Sequence, residues 1–497
     1  MSNQKTGGQV IVVGAGISGM AAGIYAQRAG FKVTILEQHS IAGGLSTAWK
    51  RKGYLFEGGM HWLGGSSAAL PLHAIWKETG ALQENNPIFI KDPFYTLING
   101  ERTLRLYRDA QRLAAELKAY APEDRKAIEA LRRDMQRFRS VHLVVDDIPF
   151  LKAKRPCHPS FRELTAMLPA LLRLPSLTKR SCIDYINSFQ NKDIRHLLSS
   201  VVGLRYNALS LVYTLASFAS GDSGYPEGGS LRMTQNMADT FTKLGGKIVF
   251  KTAVERVVCE KGKATGVLAG GRFIPADAVI VTQDALKAVD TLFVPPLNEK
   301  WTQKMRSRII TEQTMFIGLG VKADLKDLPR GIIFPLEQPF SAGGLEFNEL
   351  RINNYARYPE HAPDGCTAVT CLLIGPSYSY WKAAKADGSY RQKKQAIIER
   401  FIAQLTDFIP TIKDAVEVSD MATPLTYERY CGSAEGSWMS VWEAGGKAFE
   451  FPAKCKSIDK LYFAGQRMMM PGGLPIAVYS GRKTAQYLCR DWGVPFV

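Results

Sequence analysis

Three glycines, one acid and the spacing between them carry the first chemistry legible in this 497-residue chain. Residues 10–37 read VIVVGAGISGMAAGIYAQRAGFKVTILE. Gly14, Gly16 and Gly19 follow a β-branched run, Val10 to Val13, as G-x-G-x-x-G. Small residues continue as a helix to Ala29, Gly30 ends it, and a second strand, Lys32 to Leu36, delivers Glu37. Each residue type has a task in binding a dinucleotide. Gly14 permits a tight turn, Gly16 lets backbone approach a pyrophosphate, and Gly19 lets helix and strand pack closely. The helix start at Ile17 and Ser18 offers free N–H groups and a partial positive charge to phosphates. Glu37, at the end of the second strand, is placed to accept both hydroxyls of a ribose. A G-x-G-x-x-G alone is a weak signal. Strand, glycines, helix, strand and acid in register are a strong one.

The next residues indicate which dinucleotide. After Glu37 the chain reads QHSIAGGLSTAWKRKGYLFEGGMHWLGG. A nicotinamide-only domain has no need of the pair Gly43-Gly44. The stretch from Glu37 to Thr47 resembles the second signature of the FAD-binding flavoproteins that include amine oxidases and phytoene desaturases. The resemblance implies that the chain runs back past the pyrophosphate and ribityl chain, with Gln38, Gly43, Gly44, Leu45 and Ser46 beside them. Residues 56–61, FEGGMH, resemble the segment that passes the isoalloxazine, which implies Gly59, Met60 and His61 at the flavin. Residues 461–488, LYFAGQRMMMPGGLPIAVYSGRKTAQYL, read as a strand ending at Gly465, a glycine and proline loop, and a helix from about Leu474. They resemble the closing flavin motif, implying Gly465, Gln466, Gly473, Leu474 and Pro475 at the flavin. A helix N-terminus aimed at the N1/C2 edge favours the reduced, anionic ring. Many relatives carry an acid where Gln466 stands. An amide still hydrogen-bonds there, without charge.

Further matches lie in order. Residues 224–250 combine a Pro and Gly turn, an amphipathic helix, Gly245-Gly246 as its stop and a strand. Residues 252–282 alternate short β runs with Gly turns. Together the segments cover nearly the whole chain, which is similar to the phytoene desaturase, carotenoid isomerase and retinol saturase family of FAD-dependent oxidoreductases. The resemblance implies an α/β fold (α+β overall): a Rossmann-like FAD domain of the glutathione-reductase and amine-oxidase type, a sheet-based substrate domain and a helical cap. It implies non-covalent FAD with Val254 near the adenine, and a long apolar polyene, an isoprenoid such as a carotenoid or retinoid, as substrate. Residues 422–440 resemble a stretch lining the substrate side of the flavin, where Glu435 replaces an aromatic. His61 and Glu435 are therefore the candidate catalytic side chains. No second strand–glycine–helix unit marks a dedicated NAD(P) domain, so NAD(P) enters only as a transient electron donor or acceptor. Desaturation, saturation and isomerisation share one fold and one flavin. Two alternatives stand beside this reading: an amine oxidase-like enzyme, and a non-catalytic prenyl- or lipid-binding escort of the same fold.

The length predicts two or three domains: an FAD domain from 1–90, 220–290 and 455–497, a mostly helical cap at 91–219, and a substrate domain at 291–454. Residues 100–140 read as two charged helices around Pro122. The eight cysteines show no zinc-like spacing, and no metal site is expected. The N-terminus lacks an apolar signal region and no uncharged apolar run reaches the ~18 residues of a membrane span. The expected location is the cytoplasm, with an option at the inner face of a membrane. A net charge of +17 fits nucleic acid or an anionic surface; no nucleic-acid module is present, so no nucleic-acid partner is expected. Residues 151–180 hold seven Lys or Arg, among them Lys152, Lys154, Arg155 and Arg173, against one Glu, with leucines at near-helical spacing. Such a segment suits a lipid headgroup layer or a solvated basic face equally. Met468, Met469 and Met470 are candidates for a tunnel lining or for plain core. The oligomeric state is open.

Overall fold

Val10, Val12 and their neighbours form the middle of a five-stranded parallel sheet in the computed structural model, which describes residues 7–148, 151 and 161–497. The strands lie in the order Lys247–Val249, Lys32–Leu36, Gln9–Val13, Ala278–Val281, Leu461–Phe463, each parallel to the next. In chain order that is 3-2-1-4-5. The direction of winding reverses between Gln9–Val13 and Ala278–Val281, and a sheet of this type opens its ligand crevice at that point. Helices cover both faces, so the strands are apolar throughout rather than alternating. Helix Ile17–Arg28 packs under helix Gly473–Trp492, at a distance only glycine allows: a Cβ on Gly481 would stand 2.4 Å from the Ser18 carbonyl oxygen. Helix Gly229–Lys243 leads, through Gly245 at φ +88°, into Lys247–Val249. The strands Val254–Glu260, Lys263–Ala269 and Arg272–Pro275 form an antiparallel meander between the third and fourth sheet strands.

A second sheet has seven strands, in the order Val416–Ala422, Thr314–Val321, Thr367–Ile374, Leu345–Asn354, Gly331–Ala342, Tyr95–Asn99, Arg102–Leu106. Two of them, Thr314–Val321 and Thr367–Ile374, are the runs expected from sequence. The last two correct the expectation of helix from residue 100. Asn99 pairs with Arg102 across Gly100, at φ +58°, and Glu101, a two-residue hairpin turn. Leu104 and Leu106 are buried while Arg102 is exposed, a period of two that outweighs the charge density. The two charged helices begin later, at Ala110–Tyr120 and Arg125–Phe138, on either side of Pro122. With Phe161–Lys179, Cys182–Ile186, Lys192–Ser199 and Ala208–Ala219 they enclose their own core of Leu113, Leu117, Leu131 and Phe138.

The two sheets meet through the hairpin Ala48–Arg51 and Tyr54–Glu57. Phe56 and Tyr54 lie on Gly318 and Gly320, where a Cβ would come within 2.8 and 2.5 Å of their rings. The G-L-G in an otherwise apolar strand thus makes the seat on which the FEGGMH segment rests.

Candidate active site

One cavity of about 690 Å³ runs from the glycine turn to the helical cap. Its wall contains Gly14, Gly16, Ile17 and Ser18 from the first turn, Glu37 and Gln38 from the second strand, and Gly43, Gly44, Leu45 and Ser46 from the return. Gly59, Met60 and His61, Val254, and Gly465, Gln466, Gly473, Leu474 and Pro475 complete it. Two residues singled out from sequence lie elsewhere. Gly19 sits behind the turn, where a Cβ would stand 2.0 Å from the Gly14 carbonyl oxygen, so its role is packing. Glu435 is exposed and turned away, accepting from Thr311 Oγ1 at 3.1 Å and Gln313 Nε2 at 3.3 Å. Met468 to Met470 are not on this wall either; Met468 and Met469 line a second cavity beside Tyr479 and Lys483.

One end of the cavity is formed by the glycine turn. Helix Ile17–Arg28 starts at Gly16 with no side-chain cap, which leaves its first N–H groups for a ligand. The approach is open, since the nearest atom to a Cβ on Gly16 would be the Gly43 oxygen at 3.9 Å. Gly43 donates its N–H to the Ala15 carbonyl at 2.9 Å, so the return strand does lie against the turn. Gly44 holds φ +59° there, a conformation that favours glycine. Glu37 is buried. One oxygen accepts from Ala15 N at 2.7 Å and the other from His39 N at 2.8 Å, and each keeps a lone pair toward the cavity.

At the other end Gln466 explains the missing acid. Its Oε1 accepts from Gly473 N at 3.3 Å, at the first turn of helix Gly473–Trp492, while its Nε2 donates to the Trp438 carbonyl at 2.8 Å. The amide ties the helix N-terminus to segment 433–439, a task that needs one acceptor and one donor and that a carboxylate cannot perform. Behind it Arg467 and Asp284 form a buried pair at 2.9 Å, and Asp284 also accepts from Ala434 N at 2.8 Å. These two residues hold the ends of the fourth and fifth sheet strands to the same segment.

Two side chains on the wall have no sequence signature. Glu312, from strand Ile310–Glu312, is 2% exposed and neither hydrogen-bonded nor ion-paired through its carboxyl among the described residues. Burial pushes it up to about 7, against the pull of Arg205, so the wall carries a carboxyl able to hold or release a proton near neutrality. Arg351, from strand Leu345–Asn354, is half-buried on the same wall. Residue type and spacing carry no signal for them, because residues 312 and 351 lie on strands of two different sheets and share a cavity with residue 61 only in the folded protein. His61 itself is kept neutral: burial, with Arg351 and Lys91 nearby, holds it well below the ordinary histidine range.

The wall suits a dinucleotide with a flat ring system. The N-termini of helices Ile17–Arg28 and Gly473–Trp492, the buried carboxylate of Glu37 and a set of glycines share this wall. Residues 17–489 match the model of the flavin containing amine oxidoreductases. This chain belongs to that family. Family membership makes it a flavin-containing oxidoreductase. It is 26% identical to the all-trans-retinol 13,14-reductase of Danio rerio, over 96% of this chain and 84% of that protein. It is 24% identical to a phytoene desaturase (lycopene-forming) of Pseudescherichia vulneris, over 97% and 99% of the two chains. To prolycopene isomerase 1, chloroplastic, of an Oncidium hybrid cultivar it is 24% identical, over 97% and 84%. Among solved structures, cyclohexylamine oxidase from Brevibacterium oxydans superposes with a TM-score of 0.63 at 15% identity, over 98% of this chain and 99% of that one. A putrescine oxidase variant gives 0.65 at 16% identity, again over 98% and 99%. These likenesses bear on the fold, which is the flavin amine oxidase fold.

Proposed function

We propose that the chain is an FAD-dependent enzyme that alters C=C or CH–CH units of a long isoprenoid polyene, and that the cavity residues named above hold the FAD. The observation that carries the reading is the shape of the cavity described above: the wall at the glycine turn continues without a break into the helical cap, through Phe138, Leu174, Val201 and Leu209. Bound FAD supplies hydride exchange at its ring. The chain's own part is placement. Glu37 fixes the ribose, the two helix N-termini fix phosphate and ring, and the cap aligns an elongated chain and keeps water out. Relatives named for retinol, phytoene and prolycopene support the polyene. An amine oxidase remains a second class by fold, supported by the superposed structures, but the relatives described above by sequence are not named for amines. The escort alternative is not favoured. NAD(P) is retained as a transient electron donor or acceptor.

No histidine or cysteine is assigned to a flavin linkage, so the protein is expected to purify yellow with one FAD per chain and to release it on acid denaturation. Flavin remaining in the precipitate would contradict non-covalent binding, and colourless protein that takes up no added FAD would contradict the cofactor site.

The membrane option belongs here too. Lys152, Lys154 and Arg155 lie outside the described residues. Arg173 is no free surface cation: it grips the buried Asp134 through two bonds of 3.1 Å. What helix Phe161–Lys179 does present is Leu168, Leu171 and Leu172, 53%, 42% and 77% exposed, while Ala170 and Leu177 point inward and Leu174 lines the cavity. The same helix therefore touches both the cavity and the outside. No helix among the described residues is long and apolar enough to cross a membrane. We propose that the three leucines dip into a lipid headgroup layer, through which a polyene reaches the cavity. Burying a leucine is worth roughly 1.5–3 kcal/mol, so Leu171→Ser with Leu172→Ser should lower flotation with anionic liposomes about tenfold or more and leave the flavin spectrum intact. Equal flotation of variant and wild type would assign the leucines to another contact.

A further inference from the structure

The cap-facing part of the cavity is not a plain hydrocarbon tunnel. Helix Ala208–Ala219 is buried through Leu211, Val212, Leu215 and Phe218, yet Ser210, Tyr213, Thr214 and Ser217 line the cavity. Those four lie at i, i+3, i+4 and i+7, one stripe of hydroxyls along one face. Trp62 lines the same cavity: its ring meets Phe218, on the same helix, and Phe94 edge-on at 5.6 Å, and His61 is the preceding residue.

Arg351 and Lys91 put positive charge close to His61. Lys91 is buried and donates to Asn353 Oδ1 at 3.0 Å. Arg351 lines the cavity, donates to the Ser200 carbonyl and lies 5.9 Å from the Tyr95 ring centroid. Arg330 donates to the Ile90 carbonyl at 3.3 Å. None of the three makes an ion pair among the described residues; Glu349, two residues from Arg351, is taken by His196 and Ser199. A cation cluster without its anion is costly in a buried wall. Its effect is felt by its members: burial, then Arg330 and Arg351, pushes Lys91 down to about 7.

The hydrogen-bond chain also fixes the histidine. Lys91 Nζ donates to the Asn353 oxygen, and Asn353 Nδ2 faces His61 Nδ1 at 3.4 Å. An amide nitrogen only donates, so Nδ1 is the acceptor and the ring hydrogen sits on Nε2. His61 Nε2 is buried and without a partner among the described residues.

We infer that Arg351 and the Nε2–H of His61 form a subsite for a carboxylate at the end of the isoprenoid substrate, with the hydroxyl stripe of helix Ala208–Ala219 lining the polar approach to it. This rests on the polyene reading and narrows it: the substrate is an isoprenoid acid rather than a hydrocarbon. Lys91 is a positioning residue, acting through Asn353.

The test is binding rather than turnover. FAD-loaded protein is titrated anaerobically with three polyenes of one chain length, ending in carboxylate, alcohol and methyl, and the quenching of tryptophan fluorescence is followed. The acid should bind about tenfold or more tighter than the alcohol, the range of one charge-assisted contact. Arg351→Gln should remove that preference while moving the alcohol's affinity less than about threefold, and Arg351→Lys should restore part of it. His61→Gln should weaken the acid in the same direction, which keeps the test open where Arg351→Gln does not fold with its flavin. Nitrogen-15 NMR of the histidine ring should show the hydrogen on Nε2 in wild type and a mixture in Lys91→Met, a change that loss of packing alone does not produce. Equal affinity for acid and alcohol, or an acid preference that survives in Arg351→Gln, overturns the subsite and leaves the polyene reading standing. Failure of all three polyenes to bind overturns both.

Discussion

Glu37→Ala is expected to weaken FAD binding roughly 10- to 150-fold, the value of losing one charge-assisted pair of ~1.5–3 kcal/mol. The carboxylate has two duties. Its Oε2 and Oε1 hold Ala15 N and His39 N at 2.7 and 2.8 Å, which fixes the glycine turn against the second strand before any ligand arrives. On the proposed function, its remaining lone pairs take the ribose hydroxyls. Alanine removes the ribose contact and loosens the turn together. Glu37→Gln keeps one oxygen and should fall between wild type and alanine. Titration of apoprotein with FAD measures both, and an affinity for Glu37→Ala within about threefold of wild type would remove Glu37 from the site.

Glu57→Leu should have the largest effect on stability. Glu57 is wholly buried, and its four hydrogen bonds close the FEGGMH turn onto helix Gly229–Lys243. Oε1 accepts from Gly59 N at 2.9 Å and Met60 N at 3.0 Å; Oε2 accepts from Ser230 N at 2.8 Å and the Tyr225 hydroxyl at 2.9 Å. Burial raises its pKa, and these donors work against that rise. Leucine fills the volume but leaves the N–H groups of Gly59, Met60 and Ser230 unpaired, while the Tyr225 hydroxyl keeps His361 Nε2 at 3.0 Å. At about 1–3 kcal/mol each, the loss should reach at least about 3 kcal/mol, a large part of a typical folding stability. Denaturant unfolding of the flavin-loaded variant reads it directly. A loss below about 1 kcal/mol would mean that the network is not what joins the segment to the helix.

The parts of this molecule that could be read from sequence are those where one local pattern carries the whole reason. The glycine turn, Glu37, the Gly43-Gly44 return and the 461–488 segment are contiguous, and their spacing alone places them at one end of the parallel sheet. Gly19 was recognised for the right physical cause, close packing, although it stands behind the cavity. Strand Arg102–Leu106 reads as the start of a helix because its arginines mask a period-two pattern, although the Asn99-Gly100 pair marks the hairpin turn before it. Glu435 drew notice by replacing an aromatic, yet it holds φ +51° and faces solvent. Glu312, Arg351, Asn353 and Lys91 were out of reach. Glu312 comes from a two-stranded sheet, Arg351 and Asn353 from strand Leu345–Asn354 and Lys91 from a loop, and only the fold brings these segments together.

The central claim is that flavin and polyene react in one continuous cavity. Anaerobic mixing of the FAD-loaded protein, once with oxidised and once with chemically reduced flavin, against a conjugated isoprenoid tests it most directly. The account predicts that the absorption of the polyene changes in at least one flavin state, at a rate proportional to enzyme, with no change in flavin-free protein. An unchanged polyene spectrum in both states, together with bleaching of the oxidised flavin by a primary amine, would contradict it and make the chain an amine oxidase.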